Sequence, residues 1–184
     1  MPYVAASLAR CVPSADSIRK LCFELADEGG DHLTEDVKEF TPVGKRPFQE
    51  NYVPGALLRS IEKKITVVEV DPLHGVVYKS GTKTDLDYAI YVEHGTGLWG
   101  PARAMYEIRP KNPNGWLRFH DEFGNVVFAK RVLHPGSPGA HMFARGVAKT
   151  EVEFHEWAQR KVDLWAAEQN ALIAIRGKEK MLVS

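Results

Sequence analysis

An α+β fold, with a small antiparallel or mixed β-sheet packed by an N-terminal helix and a long C-terminal helix, is what the sequence predicts. Three observations predict it. Apolar residues recur at three- and four-residue spacing near the start, and do so again over the C-terminal stretch. Between them lie short β-branched and aromatic runs cut by Pro, Gly, Asp and Asn. With 184 residues, 44% of them hydrophobic, the chain fits a single domain, residues 1–184, able to bury one core without metals or disulfides.

The first element is a helical segment over residues 14–40. Ser14 is placed to cap it, and Ile18, Leu21, Cys22 and Leu25 share a face, which predicts an amphipathic helix over about residues 15–28. Gly29 and Gly30 interrupt the pattern and Leu33, Val37 and Phe40 resume it, so the segment is one kinked helix or two. Residues 41–56 follow as a long loop, because Pro42, Gly44, Pro47, Pro54 and Gly55 leave no room for regular structure. A loop of that length is either functional or mobile.

Residues 57–133 are predicted to be β-rich. Residues 65–70 and 76–79 pair as a hairpin around a turn at 71–75, and 80–85 reads as a polar turn. Tyr88, Ile90 and Val92 alternate with Ala89, Tyr91 and Glu93, as in a strand apolar on both faces. Further strands are expected at 105–109, 116–120 and 126–130, separated by turns at 110–115 and 121–125. A loop with two Pro and two Gly occupies 134–139. A long helix then covers residues 142–175, with Phe154, Ala158, Lys161, Trp165 and Leu172 on one stripe and Val147, Trp157, Val162 and Leu164 beside it. Gly177 reads as its stop, and residues 176–184 as a short tail.

Charge and composition narrow the function. Lys plus Arg (24) balances Asp plus Glu (24), so no global positive field draws in nucleic acid or anionic membrane. Near-zero net charge suits a chain that packs against copies of itself. Cys11 and Cys22 have no CxxC or zinc-like spacing and read as reduced residues, Cys22 as a small apolar one. No basic start with an apolar run opens the chain, and no stretch reaches the roughly 18 apolar residues of a membrane helix. A soluble protein made in the cytoplasm is the expectation.

No catalytic set is complete. Glu93-His94-Gly95-Thr96-Gly97 has the look of an oxyanion-hole turn, but no GxSxG elbow accompanies it, and Gly136-Ser137-Pro138-Gly139 has Pro just after the Ser. The alternative is a chain reversal that needs Gly95 and Gly97. The seven histidines include no HExxH pair, and a metal at His134 and His141, which flank one loop, competes with turn capping by the same rings. Asp85 with Asp87, and Glu151 with Glu153, read as solvated acids. Neither a phosphate-binding loop nor a dinucleotide fingerprint occurs. The expectation is therefore no enzyme, no cofactor and no metal.

Two features read as interaction surfaces instead. Leu98 and Trp99 sit in a Gly- and Pro-rich loop closed by Pro101, where so large an aromatic either folds back on the core or meets a partner. The C-terminal helix carries apolar residues on more than one stripe. Either they all pack in the core, or one side packs there and the other meets a neighbouring subunit. Candidate assembly residues are Leu98, Trp99, Pro101, Phe143, Trp157 and Trp165.

In order and spacing these pieces resemble the tail-completion family of long-tailed bacteriophages, which includes head-to-tail connector proteins of the minor tail protein Z type. Thr41-Pro42-Val43 and Gly55-Ala56-Leu57-Leu58-Arg59-Ser60-Ile61 are similar to the family's Pro-Val segment and Gly-x-Leu-x-x-Ser-Ile stretch. Tyr88-Ala89-Ile90-Tyr91-Val92-Glu93-His94-Gly95-Thr96 resembles its Tyr-Ala-x-Tyr-Val-Glu-x-Gly-Thr strand and turn, the most specific piece. Ile108-Arg109-Pro110, Leu117-Arg118-Phe119, Val127-Phe128, His134-Pro135-Gly136 and Phe143 follow the same series. Residues 44–54 are inserted relative to the usual pattern, and no Thr precedes Gly55.

The resemblance implies a structural virion protein of the neck. It would be a self-associating ring, expected to be a hexamer, that joins the DNA-filled head to the tail. Its neighbours would be stopper or adaptor, tail-terminator and tail-tube proteins, with genomic DNA met only as it passes through the channel and no membrane involved. Assembly would occur in the host bacterial cytoplasm. A tail terminator or a head-closure stopper ring is the nearest alternative, and a small hydrolase or metal-dependent enzyme a remote one.

Overall fold

The computed structural model describes residues 13–44, 53–71, 75–121 and 123–181. The element order is helix α1 (Ala15–Phe40), helix α2 (Ala56–Ser60), strands β1 (Glu62–Asp71) and β2 (Gly75–Lys83), helix α3 (Ala89–His94), strands β3 (Tyr106–Ile108), β4 (Leu117–His120), β5 (Val126–Ala129) and β6 (Val132–His134), and helix α4 (Met142–Met181). This is an α+β protein with an N-terminal helix and a long C-terminal one. Its strands are all antiparallel, divided among three two-stranded ladders, β1 with β2, β3 with β6 and β4 with β5. The chain forms two compact units. A helical unit holds α1 through Glu39, Ile61–Lys83 and α4 from Arg145; a loop-and-hairpin unit holds Phe40–Ser60 and Thr84–Ala144.

In the helical unit α1 and α4 run antiparallel, as the order of their contacts shows. Trp165 Nε1 donates to Ser17 Oγ at 3.0 Å near the start of α1, and Thr150 Oγ1 pairs with Asp36 Oδ2 at 2.7 Å near its end. Ser14 caps α1 through the Ser17 amide at 3.1 Å. Gly29 and Gly30 do not break the helix, because their role is close approach. A Cβ on Gly29 would stand 2.8 Å from the Phe154 ring, and one on Gly30 would stand 2.1 Å from Ser80 Oγ. Val37 and Ile61 are fully enclosed and Leu21 nearly so.

Three lysines clasp the acidic side of α1. Lys63 reaches Asp27 (2.5 Å) and Asp31 (2.8 Å), Lys149 reaches Asp36 (2.8 Å) and Glu39 (2.7 Å), and Lys161 pairs with Glu28 and Glu24. Each lysine thus bridges two carboxylates three or four residues apart on one helical face. Burial pushes the Asp36 carboxyl up, but hydrogen bonds from Lys149 and Thr150, with the lysine's charge, hold it below the ordinary aspartate value. The Lys149 ammonium is held well above the ordinary lysine value by its hydrogen bonds to Asp36 and Glu39.

Several sequence expectations change. Residues 88–92 are not a strand: α3 occupies Ala89–His94, with Ala89 and Glu93 buried and Val92 half-buried while Ile90 and Tyr91 are exposed. Over five residues, alternation and helical spacing both fit, and here the buried set follows the helical one. The β-rich middle also contains α2, and β6 was not expected. Residues 80–83 extend β2 instead of turning. The helix of 142–175 continues to Met181, so Gly177 does not stop it; a helical Gly costs only about 1 kcal/mol. The long loop is described at 41–44 and 53–55. Its inserted residues 45–52, the turn residues 72–74, residues 1–12 with Cys11, and the last tail residues 182–184 lie outside the described residues.

Candidate functional site

The loop-and-hairpin unit is built around two chain segments that lie backbone against backbone. Residues 92–98, from the end of α3, run beside residues 135–141, which lead into α4. The Thr96 amide donates to Ser137 O (2.8 Å), Leu98 to Pro135 O (2.8 Å), Ala140 to Val92 O (2.7 Å) and His141 to Glu93 O (3.2 Å). The Ser137 amide donates in turn to Thr96 Oγ1 at 3.0 Å. Glycine makes the approach feasible. Gly97 and Gly136 both hold positive φ, 61° and 93°, and a Cβ on either would come within about 2 Å of the other segment's backbone oxygen, Pro135 O or Thr96 O. The two motifs noted in the sequence, 93–97 and 134–139, are therefore halves of one structural joint. Its Thr96 and Leu98 amides are engaged by carbonyls.

Glu93 locks this joint to α4. Its carboxylate, 8% exposed, accepts the Phe143 amide at Oε2 (2.9 Å) and the Ala144 amide at Oε1 (3.2 Å). These are first-turn amides of α4, which have no partner within the helix, and a carboxylate also complements the helix dipole. The residue before the helix, His141, has φ 51° and supplies no side-chain cap there. A carboxylate distant in sequence does a cap's work. Thr41 Oγ1 contacts Met142 Sδ at 3.4 Å, and Met142, Leu57 and Ala89 are the unit's buried apolar residues among those described.

That is a small core, and many apolar side chains of this unit remain outside it. Trp99 N–H reaches Thr96 O (3.2 Å) and Gly100 N–H reaches Gly97 O (3.2 Å), a tight double turn whose tip presents Leu98 and Trp99, the latter 52% exposed. Pro101 is exposed beside them. A second ordered tip joins β4 and β5: Asp121 Oδ1 accepts the amides of Phe123 (3.0 Å) and Asn125 (2.8 Å), and Phe123 stands out 81% exposed. The Asn125 side chain and amide hold the Asp121 carboxyl below its ordinary value. Trp116 is exposed under the Lys130 ammonium, 4.4 Å from the ring centre, and that ammonium is fixed by Asn114 O and Gly115 O at 3.0 Å each.

The remaining candidates lie differently. Phe143 is half-buried, its amide bound by Glu93. Trp157 and Trp165 are half-buried in the helical unit, Trp157 against His32 (ring centres 5.6 Å apart) and Trp165 bonded to Ser17. The outward face of α4 carries Val147, Val152 and Leu164 instead. His134 serves its own loop, its Nδ1 accepting the Gly136 amide at 2.9 Å. Sequence reasoning missed Glu93 as a cap and Phe123 as a presented aromatic. The first depends on a contact remote in sequence; the second was legible as Asp-x-Phe-Gly-Asn, a turn that leaves its aromatic nothing to pack on.

Among the described residues no group of His, Cys, Asp and Glu is placed to hold a metal, and no helix is long and apolar enough to cross a membrane. Comparison of the chain with protein-family models, curated proteins and solved structures finds no match.

Proposed function

We propose that this chain is a structural protein of the bacteriophage neck, a tail-completion or head-to-tail joining subunit that acts as a ring of its own copies, six being the expected number. The observation that carries the proposal is where its exposed aromatics fall. Among the described residues, Tyr88, Tyr91, Trp99, Tyr106, Trp116, Phe119, Phe123 and Phe128 are all exposed in the loop-and-hairpin unit, against Phe23 alone in the helical unit. Two of the motifs that resemble the tail-completion family, residues 88–96 and 134–136, contribute to the joint from which the Trp99 tip projects. Covering one such side chain contributes about 2 kcal/mol, so a partner surface meeting several has ample driving force. A ring uses two different patches per copy and closes by geometry, which suits aromatics spread over separate tips.

The test is an amber mutant of the phage that carries this gene, grown on a non-suppressing host. The expected particles are DNA-filled heads and separate tails of normal length. Tails of irregular length, empty heads, or joined infectious particles would each assign the protein elsewhere.

A further inference from the structure

We propose that the helical unit carries a docking site for the guanidinium of an arginine side chain on a partner protein. The site is a cavity of about 280 Å³ beside α1 and α4, walled by His32, Phe154 and Trp157 and rimmed by Glu153, Glu156 and Arg160. Its volume lies just under the range of small-molecule sites and suits a single long side chain. Trp157 stands at the corner of the wall, 5.5 Å from the Phe154 ring and 5.6 Å from the His32 ring, centre to centre. An aromatic wall attracts cations through its ring faces, and a planar guanidinium stacks on indole better than an ammonium does.

The charges around it are unusual for this unit. The acids of α1 that face Lys63, Lys149 and Lys161 are held in short ion pairs, whereas among the described residues no cation reaches Glu153, and Glu156 has only Arg160 at 3.8 Å, both side chains well exposed. Lys161 lies 5.8 Å from the Trp157 ring centre, at the outer limit of such contacts, and its ammonium is held by Glu28 and Glu24. Glu153 and Glu156, three residues apart on α4, offer carboxylates on the rim to which a guanidinium can form a bidentate pair while it stacks. The site does not depend on the neck assignment, since any partner with a projecting arginine would satisfy it.

Indole NMR of the full chain tests this, because the four tryptophans give four signals and Trp157→Phe identifies the relevant one. N-acetyl-arginine methylamide should shift the Trp157 signal saturably, with half-saturation at about 1–10 mM. The blocked citrulline probe, equal in shape but uncharged, should bind at least about tenfold more weakly, and blocked lysine weaker than arginine. Glu153→Gln with Glu156→Gln should weaken the arginine probe about fivefold or more while the other indole signals stay in place, which shows the fold intact. Absence of a saturable shift, equal binding of citrulline or lysine, or full binding by the double variant would overturn the proposal.

Discussion

Lysines close the surface of one unit, and glycines close the inside of the other. In the helical unit, Lys63, Lys149 and Lys161 each hold two carboxylates of α1, so six acids of that helix are tied down within the unit. In the loop-and-hairpin unit the polar groups satisfied internally belong mainly to the backbone, along the joint of residues 92–98 with 135–141, and the large side chains are left outside on tight tips. A glycine-lined joint fixes the chain path without burying apolar area. On the proposed reading, the loop-and-hairpin unit supplies the main contact surface for neighbours and the helical unit is its scaffold.

The comparison breaks most visibly at the joint. Gly136→Ala puts a Cβ about 2.0 Å from Thr96 O at a residue with φ 93°, and should cost about 3 kcal/mol or more, seen as a large fall in melting temperature or as insoluble protein. A near-parental melt would mean that the two segments part easily and the joint is not what orders the unit. Glu93→Ala comes next. It leaves the Phe143 and Ala144 amides without their acceptor and should cost about 2–4 kcal/mol in denaturant melts, with Glu93→Gln recovering part of the loss.

In the helical unit Asp36→Ala should cost about 2 kcal/mol at neutral pH. Its pH signature follows from the shifts. Asp36 is depressed below 3.8, so its contribution is complete above that value and disappears as the pH falls through the lower folded value; Asp36→Asn should flatten this acid limb. Lys149, Lys161 and Lys63 are raised above 10.5, so their contribution is complete below that value and is lost as the pH rises through the higher folded values. Melting temperature followed from pH 2 to pH 11 should show a plateau bounded on both sides. The smallest effect belongs to His141, whose φ of 51° strains a non-glycine residue: His141→Gly should be neutral or stabilising by up to about 1 kcal/mol, measured by chemical denaturation.

How much of this was legible in the sequence divides along the same line. Local rules worked where local forces decide. Ser14 caps α1 as its place ahead of the apolar three- and four-residue spacing implies, and β3, β4 and β5 fall within a residue of the expected 105–109, 116–120 and 126–130. They failed where a remote contact decides. Gly29 and Gly30 leave one kinked helix or two as open alternatives, because nothing local shows Phe154 and Ser80 pressing on them, and the structure has one helix. Residues 88–92 read as a strand because their β-branched and aromatic content outweighed an Ala89-to-Glu93 spacing whose meaning depends on the Phe143 and Ala144 amides. The lysine clasp was hidden for the same reason: the i,i+4 and i,i+3 acid pairs of α1 are visible, but their partners lie on β1 and α4. For Trp99 the sequence left core and partner as equal alternatives, and the structure puts it at an exposed turn tip.

Complementation of the amber phage with the Trp99→Ala protein, alongside Phe23→Ala as an exposed aromatic of the helical unit, tests the central claim most directly. Both side chains are about half exposed, and Phe23 also meets the Tyr78 ring edge-on at 5.6 Å, so both variants should stay folded, with Phe23→Ala losing at least as much stability as Trp99→Ala. The account predicts that Phe23→Ala restores plaque formation while Trp99→Ala leaves heads and tails unjoined. Restoration of full titre by Trp99→Ala would contradict it.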